Sequence, residues 1–132
     1  MKALSITEPY ASLILMGRKR IETRPWKTNY RGRILIHASS TRMPDEWKHL
    51  LPLVGYKVQP GYVLCTADLV NCIEMTDDFI YMMEMLDYPE YCVGFYSPGR
   101  YAWILDNVQP VEPFKVKGRL GLWECDVPDN VV

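Results

Sequence analysis

Lys19, Glu22 and Arg24 lie within six residues of one another, in the run Gly17-Arg18-Lys19-Arg20-Ile21-Glu22-Thr23-Arg24 that leads into Pro25-Trp26. An arginine offers two parallel donors to a phosphate or carbonyl oxygen. A lysine taken out of water and crowded by Arg18, Arg20 and Arg24 loses proton affinity and becomes a base or a nucleophile. A neighbouring carboxylate either orients that lysine or activates a water for attack on an amide. Tyr10 and Trp26 flank the run in sequence and offer faces on which an unpaired base stacks, with core packing as their alternative use. The same residues would also suit a solvated basic junction between a helix and a strand.

The surrounding pattern says what must hold them. Lys2–Ile6 reads as a first strand, and Tyr10–Met16 as a helix capped by Thr7 or Glu8 with Pro9 in its first turn. Gly17 ends that helix. Pro25 disfavours helical geometry at Arg24, so Arg20–Arg24 is expected to be extended. Glu22 and Arg24 then share one face and Ile21 and Thr23 the other. Lys19 sits at the junction, where alternation leaves its direction open. After a turn at Asn29–Gly32 come a strand over Arg33–Ser39, a short helix over Pro44–Leu51 and a long strand over Tyr62–Ile73. Asp77–Leu86 is a helix capped by Thr76 or Asp77. Tyr88–Arg100 reads as loop. Strands at Tyr101–Leu105 and Leu120–Cys125 follow, separated by the Pro110–Pro113 stretch. Several strands with two or three helices indicate an α+β fold around a small, closed or nearly closed sheet. One domain over residues 1–127 and a loose tail over 128–132 are expected.

Composition narrows the class. An apolar fraction of 48% and a charged fraction of 23% are those of a folded globular chain. No apolar run approaches the roughly 18 residues of a membrane span, and Glu8 and Pro9 interrupt any signal region, so a cytoplasmic protein without a membrane partner is expected. Cys65, Cys72, Cys92 and Cys125 lack paired spacing and read as free, buried thiols. The formal net charge of −1 conceals an asymmetry: residues 1–66 carry eleven Lys/Arg against four Asp/Glu, and residues 67–132 carry four against twelve. Seven of the basic residues fall within 18–33, which suggests a confined anion site rather than a surface that coats duplex DNA. Mutual neutralisation of the two halves across the fold is the alternative.

Other candidates are simpler. Ser39 and Ser40 end a strand, where hydroxyls contact phosphate. His37 and His49 have no companion ligand at metal spacing, so neither a metal nor a cofactor is expected. Asp68 in an apolar strand needs a partner. Asp77, Asp78, Glu84 and Asp87 fit capping and a solvated face. Met75, Met82, Met83 and Met85 read as core filler. Trp103 and Trp123 fall in strands and are expected in the core.

Gly17, Lys19, Glu22 and Arg24 fill the defined positions of the Gly-x-Lys-x-x-Glu-x-Arg signature, and the chain resembles the ASCH domain family on that basis. The flanks agree: Leu4-Ser5-Ile6 and Pro9-Tyr10-Ala11 before it, Pro25-Trp26 and Arg31–Ala38 after it. The resemblance covers residues 2–39 and implies a small PUA-like β-barrel whose cleft takes RNA or a nucleotide. Some ASCH-like proteins deacetylate N4-acetylcytidine and others cleave RNA. The deacetylating members resemble Lys-x-x-Thr where this chain has Lys19-Arg-Ile-Glu22, and their further glutamate has no matching motif here. The expected function is binding of single-stranded RNA or a modified nucleoside by Arg24, Tyr10, Trp26, Arg18, Arg20 and Ser39 around Lys19 and Glu22. The alternative is a small metal-independent hydrolase, an N4-acetylcytidine amidohydrolase or ribonuclease, with Lys19 and Glu22 catalytic. A basic face that meets a protein is a third reading. Oligomeric state is left open.

Overall fold

The computed structural model describes residues 1–131; Val132, the last residue of the expected tail, lies outside them. Six strands form one sheet in the order β2-β5-β4-β3-β1-β6. They are β1 (Lys2–Thr7), β2 (Ile21–Arg24), β3 (Gly32–Ser39), β4 (Tyr62–Glu74), β5 (Tyr101–Lys115) and β6 (Leu122–Glu124). Only β1 and β3 run parallel, and every other neighbouring pair is antiparallel. The helices are α1 (Tyr10–Leu15), α2 (Asp77–Leu86) and α3 (Tyr88–Tyr91), with a 3-10 helix over Asp45–Val54. No helix among the described residues is long and apolar enough to cross a membrane.

The sheet curls into a half-barrel. Its first strand, β2, and its fifth, β1, come close enough for Arg24 Nη2 to donate to Ser5 O at 2.9 Å. Strand twist supplies the curl, and register shifts in the β3–β4 and β4–β5 ladders sharpen it. The concave side carries the main core: Leu4 and Ile6 of β1, Ile34 and Ile36 of β3, Leu64 and Leu69 of β4, Trp103 and Leu105 of β5, closed over by Ala11 and Ile14 of α1. On the other face of β1 and β3, Ala3 and Leu35 pack with Val63, Trp123 and Cys125. Both tryptophans expected in the core are there. Cys65 and Cys125 are buried, whereas Cys92 is exposed, and all four cysteines are free.

α1 is short, and its start is held by a side chain and its end by backbone hydrogen bonds. Glu8 is buried, and its carboxylate accepts from Ser12 N (2.8 Å), Ser12 Oγ (2.6 Å) and Gln59 N (2.9 Å). The helix ends in a Schellman pair: Gly17 N donates to Ile14 O and Arg18 N to Leu13 O, with Gly17 at φ 77°. α2 begins as expected, with Thr76 Oγ1 accepting from Phe79 N.

Three expectations are corrected. β5 runs unbroken through Pro110 and Pro113. β2 covers only Tyr101–Ile104 of β5, so beyond that point β5 is an edge where a missing N–H costs no ladder bond. The segment read as loop contains α3, started by Pro89 in its first turn. Met82 and Met85 of α2 are exposed, and only Met75 and Met83 are core; α2 packs one face on the sheet and leaves the other open.

Replacing Glu8 by alanine strands three donors, two of them on buried Ser12. The expected loss is roughly 2–4 kcal/mol, read as a lower urea midpoint at unchanged m-value. A loss below about 1 kcal/mol would show that the carboxylate does not organise this junction.

Candidate functional site

β2 has a ladder partner on one side only. Arg20 O accepts from Leu105 N, so alternation turns the backbone groups of Glu22 and Arg24 toward β5 and those of Ile21 and Thr23 away from any strand. Ile21 and Thr23 are buried, and four orphan backbone groups there would be costly. Each is met by a charged side chain. Glu90 Oε2 accepts from Ile21 N at 3.2 Å, and Lys19 Nζ donates to Ile21 O at 2.6 Å. Glu22 Oε1 accepts from Thr23 N at 3.1 Å, and Arg100 Nη2 donates to Thr23 O at 3.0 Å. Two of these partners, Lys19 and Glu22, come from the motif. The other two, Glu90 and Arg100, come from α3 and the segment after it. Together they take the place of a missing strand.

Lys19 is the centre of this arrangement. It is 1% exposed, and its second hydrogen bond, to Val93 O at 2.6 Å, ties β2 to the segment after α3. Glu22 Oε1 lies 3.7 Å from Nζ, and the Tyr10 ring centroid lies 4.9 Å from it. Burial pushes the lysine's pKa down, while the Glu22 and Glu90 carboxylates pull it back up. Glu22 in turn accepts from Arg24 Nη2 at 2.9 Å. Glu90 also accepts from Arg20 N at 2.7 Å, and burial raises its pKa against those bonds.

The segment from Val93 to Arg100 folds back over β2 and roofs a cleft of about 670 Å³. Gly94 permits that approach: a Cβ there would stand 2.8 Å from Tyr96 Cε1 and 3.2 Å from Thr23 Cγ2. Phe95 N completes the seam on Thr23 Oγ1 at 3.1 Å. Tyr10, Trp47, Tyr91, Phe95 and Tyr96 give the cleft its aromatic walls, and Lys19, Glu22, Arg24 and Arg100 its charge. Among the described residues, only two buried side-chain polar atoms lack a partner, Arg24 Nε and Tyr96 Oη, and both residues line this cleft. Burial keeps the Tyr96 phenol protonated by raising its pKa, so it stands as a hydrogen-bond donor. The described residues include no cluster of three or more His, Cys, Asp or Glu that could hold a metal.

The structure brings together Lys19, Glu22, Arg24 and Tyr10 from the expected set. It places the others elsewhere. Arg18 is exposed beyond α1, and Arg20, itself exposed, pairs with Asp87 and with the buried Glu90 carboxylate. Trp26 turns its ring edge-on to Trp103, 4.6 Å between centroids, and lies outside the cleft lining. Ser39 lies in a second, smaller groove. Asp68 has its partners in Arg33 and Asn107. His37 is a satisfied strand histidine, bonded to Ser5 Oγ and Val116 O, and edge-on to Trp123. The residues that sequence reasoning missed are Trp47 of the 3-10 helix and Glu90, Tyr91, Gly94, Phe95, Tyr96 and Arg100, the last six inside the stretch read as loop. The crowding of Tyr91, Phe95 and Tyr96 around Gly94 in that stretch was the available signal.

Residues 4–115 match the model of the ASCH domain. Activating signal cointegrator 1 of Mus musculus is 30% identical over 129 residues, which span 93% of this chain and 22% of that protein. The Homo sapiens protein of the same name matches over the same shares at the same identity. This chain therefore spans about a fifth of the length of these relatives. Among solved structures, ASCH from Zymomonas mobilis superposes with a TM-score of 0.57 at 18% identity, covering 87% of this chain and 73% of that one. A tyrosine-to-phenylalanine mutant of that Zymomonas mobilis protein gives 0.55 at 19% identity, with 87% and 75% covered. At this identity the likeness is one of fold.

Lys19→Met removes the donor from the buried Ile21 O and Val93 O and takes one of two cations from Glu22, which keeps Arg24. Urea unfolding should show a loss of roughly 3–5 kcal/mol, as for breaking a buried pair; an effect within the range of a surface pair would contradict the sealed-edge account. Glu90 supplies a pH signature. Its raised pKa means that the folded state holds a proton the unfolded chain has released, so this contribution falls as pH rises from the ordinary value of 4.5 through the folded pKa. Urea midpoints of wild type and Glu90→Gln should therefore diverge over that window, with the downward trend absent in the variant.

Proposed function

The chain belongs to the ASCH domain family, and on that premise we propose that it binds single-stranded RNA through a base held in the aromatic cleft. The observation that carries this reading is the pair of unpartnered buried groups, Arg24 Nε and Tyr96 Oη, in one cavity. Buried polar atoms ordinarily have partners, and leaving one without costs about 1–3 kcal/mol. Two donors sharing one cleft call for a ligand that presents acceptors, such as base carbonyl or phosphate oxygens. Five aromatic side chains around them suit a flat ring, and about 670 Å³ is within the range of small-ligand sites. Stacking of an unpaired base on such rings contributes roughly 1–3 kcal/mol.

Lys19 and Glu22 support binding by shaping the cleft wall. Both Lys19 Nζ hydrogen bonds, at 2.6 Å, go to backbone carbonyls, which fixes the side chain in the wall of the cleft. A second reading, hydrolysis of an N4-acylated cytidine or an RNA phosphodiester, draws on the cleft position of Glu22 beside a lysine whose pKa burial lowers. In that case Glu22 would direct a water and Arg24 would receive the developing charge.

Tyr96→Phe separates a ligand role from a structural one. Removing an unpartnered hydroxyl should leave the urea midpoint unchanged or raised. Affinity for a short unstructured oligoribonucleotide, read by fluorescence anisotropy, should drop about fivefold to tenfold, the equivalent of one hydrogen bond. Equal affinities, or no saturable binding by wild type, would sink the reading. Mass spectrometry of N4-acetylcytidine and the same RNA after incubation tests the second: product that disappears in Glu22→Gln would establish turnover.

A further inference from the structure

A second groove of about 390 Å³ meets the first at Ser5, Thr7 and Arg24, which line both. Its chemistry is different. Where the main cleft has five Phe, Tyr or Trp rings, this one has none, and its only large apolar side chain is Leu120. Ser39, Ser40 and Thr41 line one wall, and Lys117 and Arg119 line the other. No Asp or Glu lines it. Among the described residues neither Lys117 nor Arg119 has a carboxylate partner, although most of the chain's other cations do and their half of the chain is acidic.

The strap that carries these two cations is built in place. Val116 O bonds His37 Nε2 at 2.9 Å, and Val116 N donates to Gly61 O at 3.0 Å. Gly118 then presses onto the floor: a Cβ there would meet Ser5 Oγ at 2.6 Å and His37 Cε1 at 2.7 Å. Those floor atoms are fixed in turn, since Ser5 Oγ bonds His37 Nδ1 at 2.9 Å and accepts from Trp123 Nε1 at 3.1 Å. Gly118 has no positive φ, so the close approach alone calls for glycine. Lys117 and Arg119 on either side of it are thereby held at the rim, facing hydroxyls at the end of β3. Thr41 is set by an ST turn in which Ser39 Oγ donates to Thr41 Oγ1 at 2.9 Å and accepts from Thr41 N at 3.1 Å.

We infer that this groove is a phosphate subsite that takes the backbone phosphate next to the nucleotide held in the aromatic cleft, with Lys117 and Arg119 supplying charge and Ser40 and Thr41 hydroxyl donors, Thr41 being set by Ser39. The inference rests on the RNA-binding reading, and it makes the ligand a polynucleotide strand rather than a lone nucleoside. Arg24 stands where the two sites meet. A carboxylate-free groove with two cations and several hydroxyls, and no Phe, Tyr or Trp ring, suits an anion, and an adjoining ring-walled cleft suits a base.

The test is the Lys117→Ala/Arg119→Ala double variant, both positions being exposed, set against Tyr96→Phe and wild type. The probes are an oligouridylate of about ten nucleotides, titrated by anisotropy at several salt concentrations, and uridine, titrated by NMR. The double variant should bind the oligomer about tenfold more weakly, with the salt slope reduced by roughly 1–2, and bind uridine as wild type does. An unchanged salt slope, or an equal loss for uridine and oligomer, overturns the subsite. Oligomer binding that depends on Lys117 and Arg119 but not on Tyr96 upholds the subsite and overturns the base cleft. Failure of wild type to bind the oligomer overturns both.

Discussion

The sealed free edge of β2 is the constraint on which the rest of the site depends. A four-residue strand at the end of a curled sheet presents inward-facing backbone groups that are buried and have no strand to meet them. Two carboxylates and two cations meet them instead, and each does something further. Lys19 also holds Val93, Glu22 also holds Arg24, Glu90 also holds Arg20 N, and Arg100 also binds Phe95 O at 3.1 Å. Sealing the edge therefore brings the segment after α3 across β2, and that crossing is what makes a cleft. The motif positions act first as local scaffolding: Lys19 reaches the carbonyl two residues on, and Glu22 the amide of the next residue.

Charge is distributed to match. The basic N-terminal half and acidic C-terminal half neutralise each other in part, through Arg20 with Asp87 and Glu90, Arg33 with Asp68, and Lys2 with Glu124. The solvent-exposed pairs among these contribute little to stability individually, whereas Glu90 is buried. The effect of the pairs is to occupy Arg20, Arg33 and Lys2 with carboxylates. Of the four basic residues in the acidic half, Arg100 lines the aromatic cleft and Lys117 and Arg119 line the adjoining groove. Three cations without a carboxylate partner among the described residues, Arg100, Lys117 and Arg119, thus line the two adjoining cavities, in a chain whose net charge is close to zero.

Binding and hydrolysis ask different things of the same residues. A recognition site needs donors fixed in place with nothing yet to bond, which is the situation of Arg24 Nε and Tyr96 Oη. Lys19 is tied by hydrogen bonds to the carbonyls of Ile21 and Val93, so its position is set by the fold before any ligand arrives. Under the proposed binding role, Glu22 is the cleft carboxylate available for any chemistry beyond recognition.

Local rules in the sequence determined a good deal. Pro25 after Arg24 specified an extended run, Gly17 specified where α1 stops, and alternation put Glu22 and Arg24 on one face, where they form an ion pair at 2.9 Å. The apolar strands around Trp103 and Trp123, the capped helix over Asp77–Leu86 and the satisfied His37 were legible for the same reason, since each depends on near neighbours in the chain or on simple burial. What depends on distant neighbours was not. Proline in β5 reads as a break because only the sheet order reveals that strand's free edge. Trp26 and Arg20 read as ligand residues because proximity in sequence carries no information about which side of the sheet a side chain meets. Glu90, Tyr96 and Arg100 join Lys19 and Glu22 across about 70 residues of chain, and Lys117 joins Ser39 across a similar gap. No local periodicity encodes such pairings; the curl of the sheet decides them, by bringing an unpaired strand edge against the segment whose charges satisfy it.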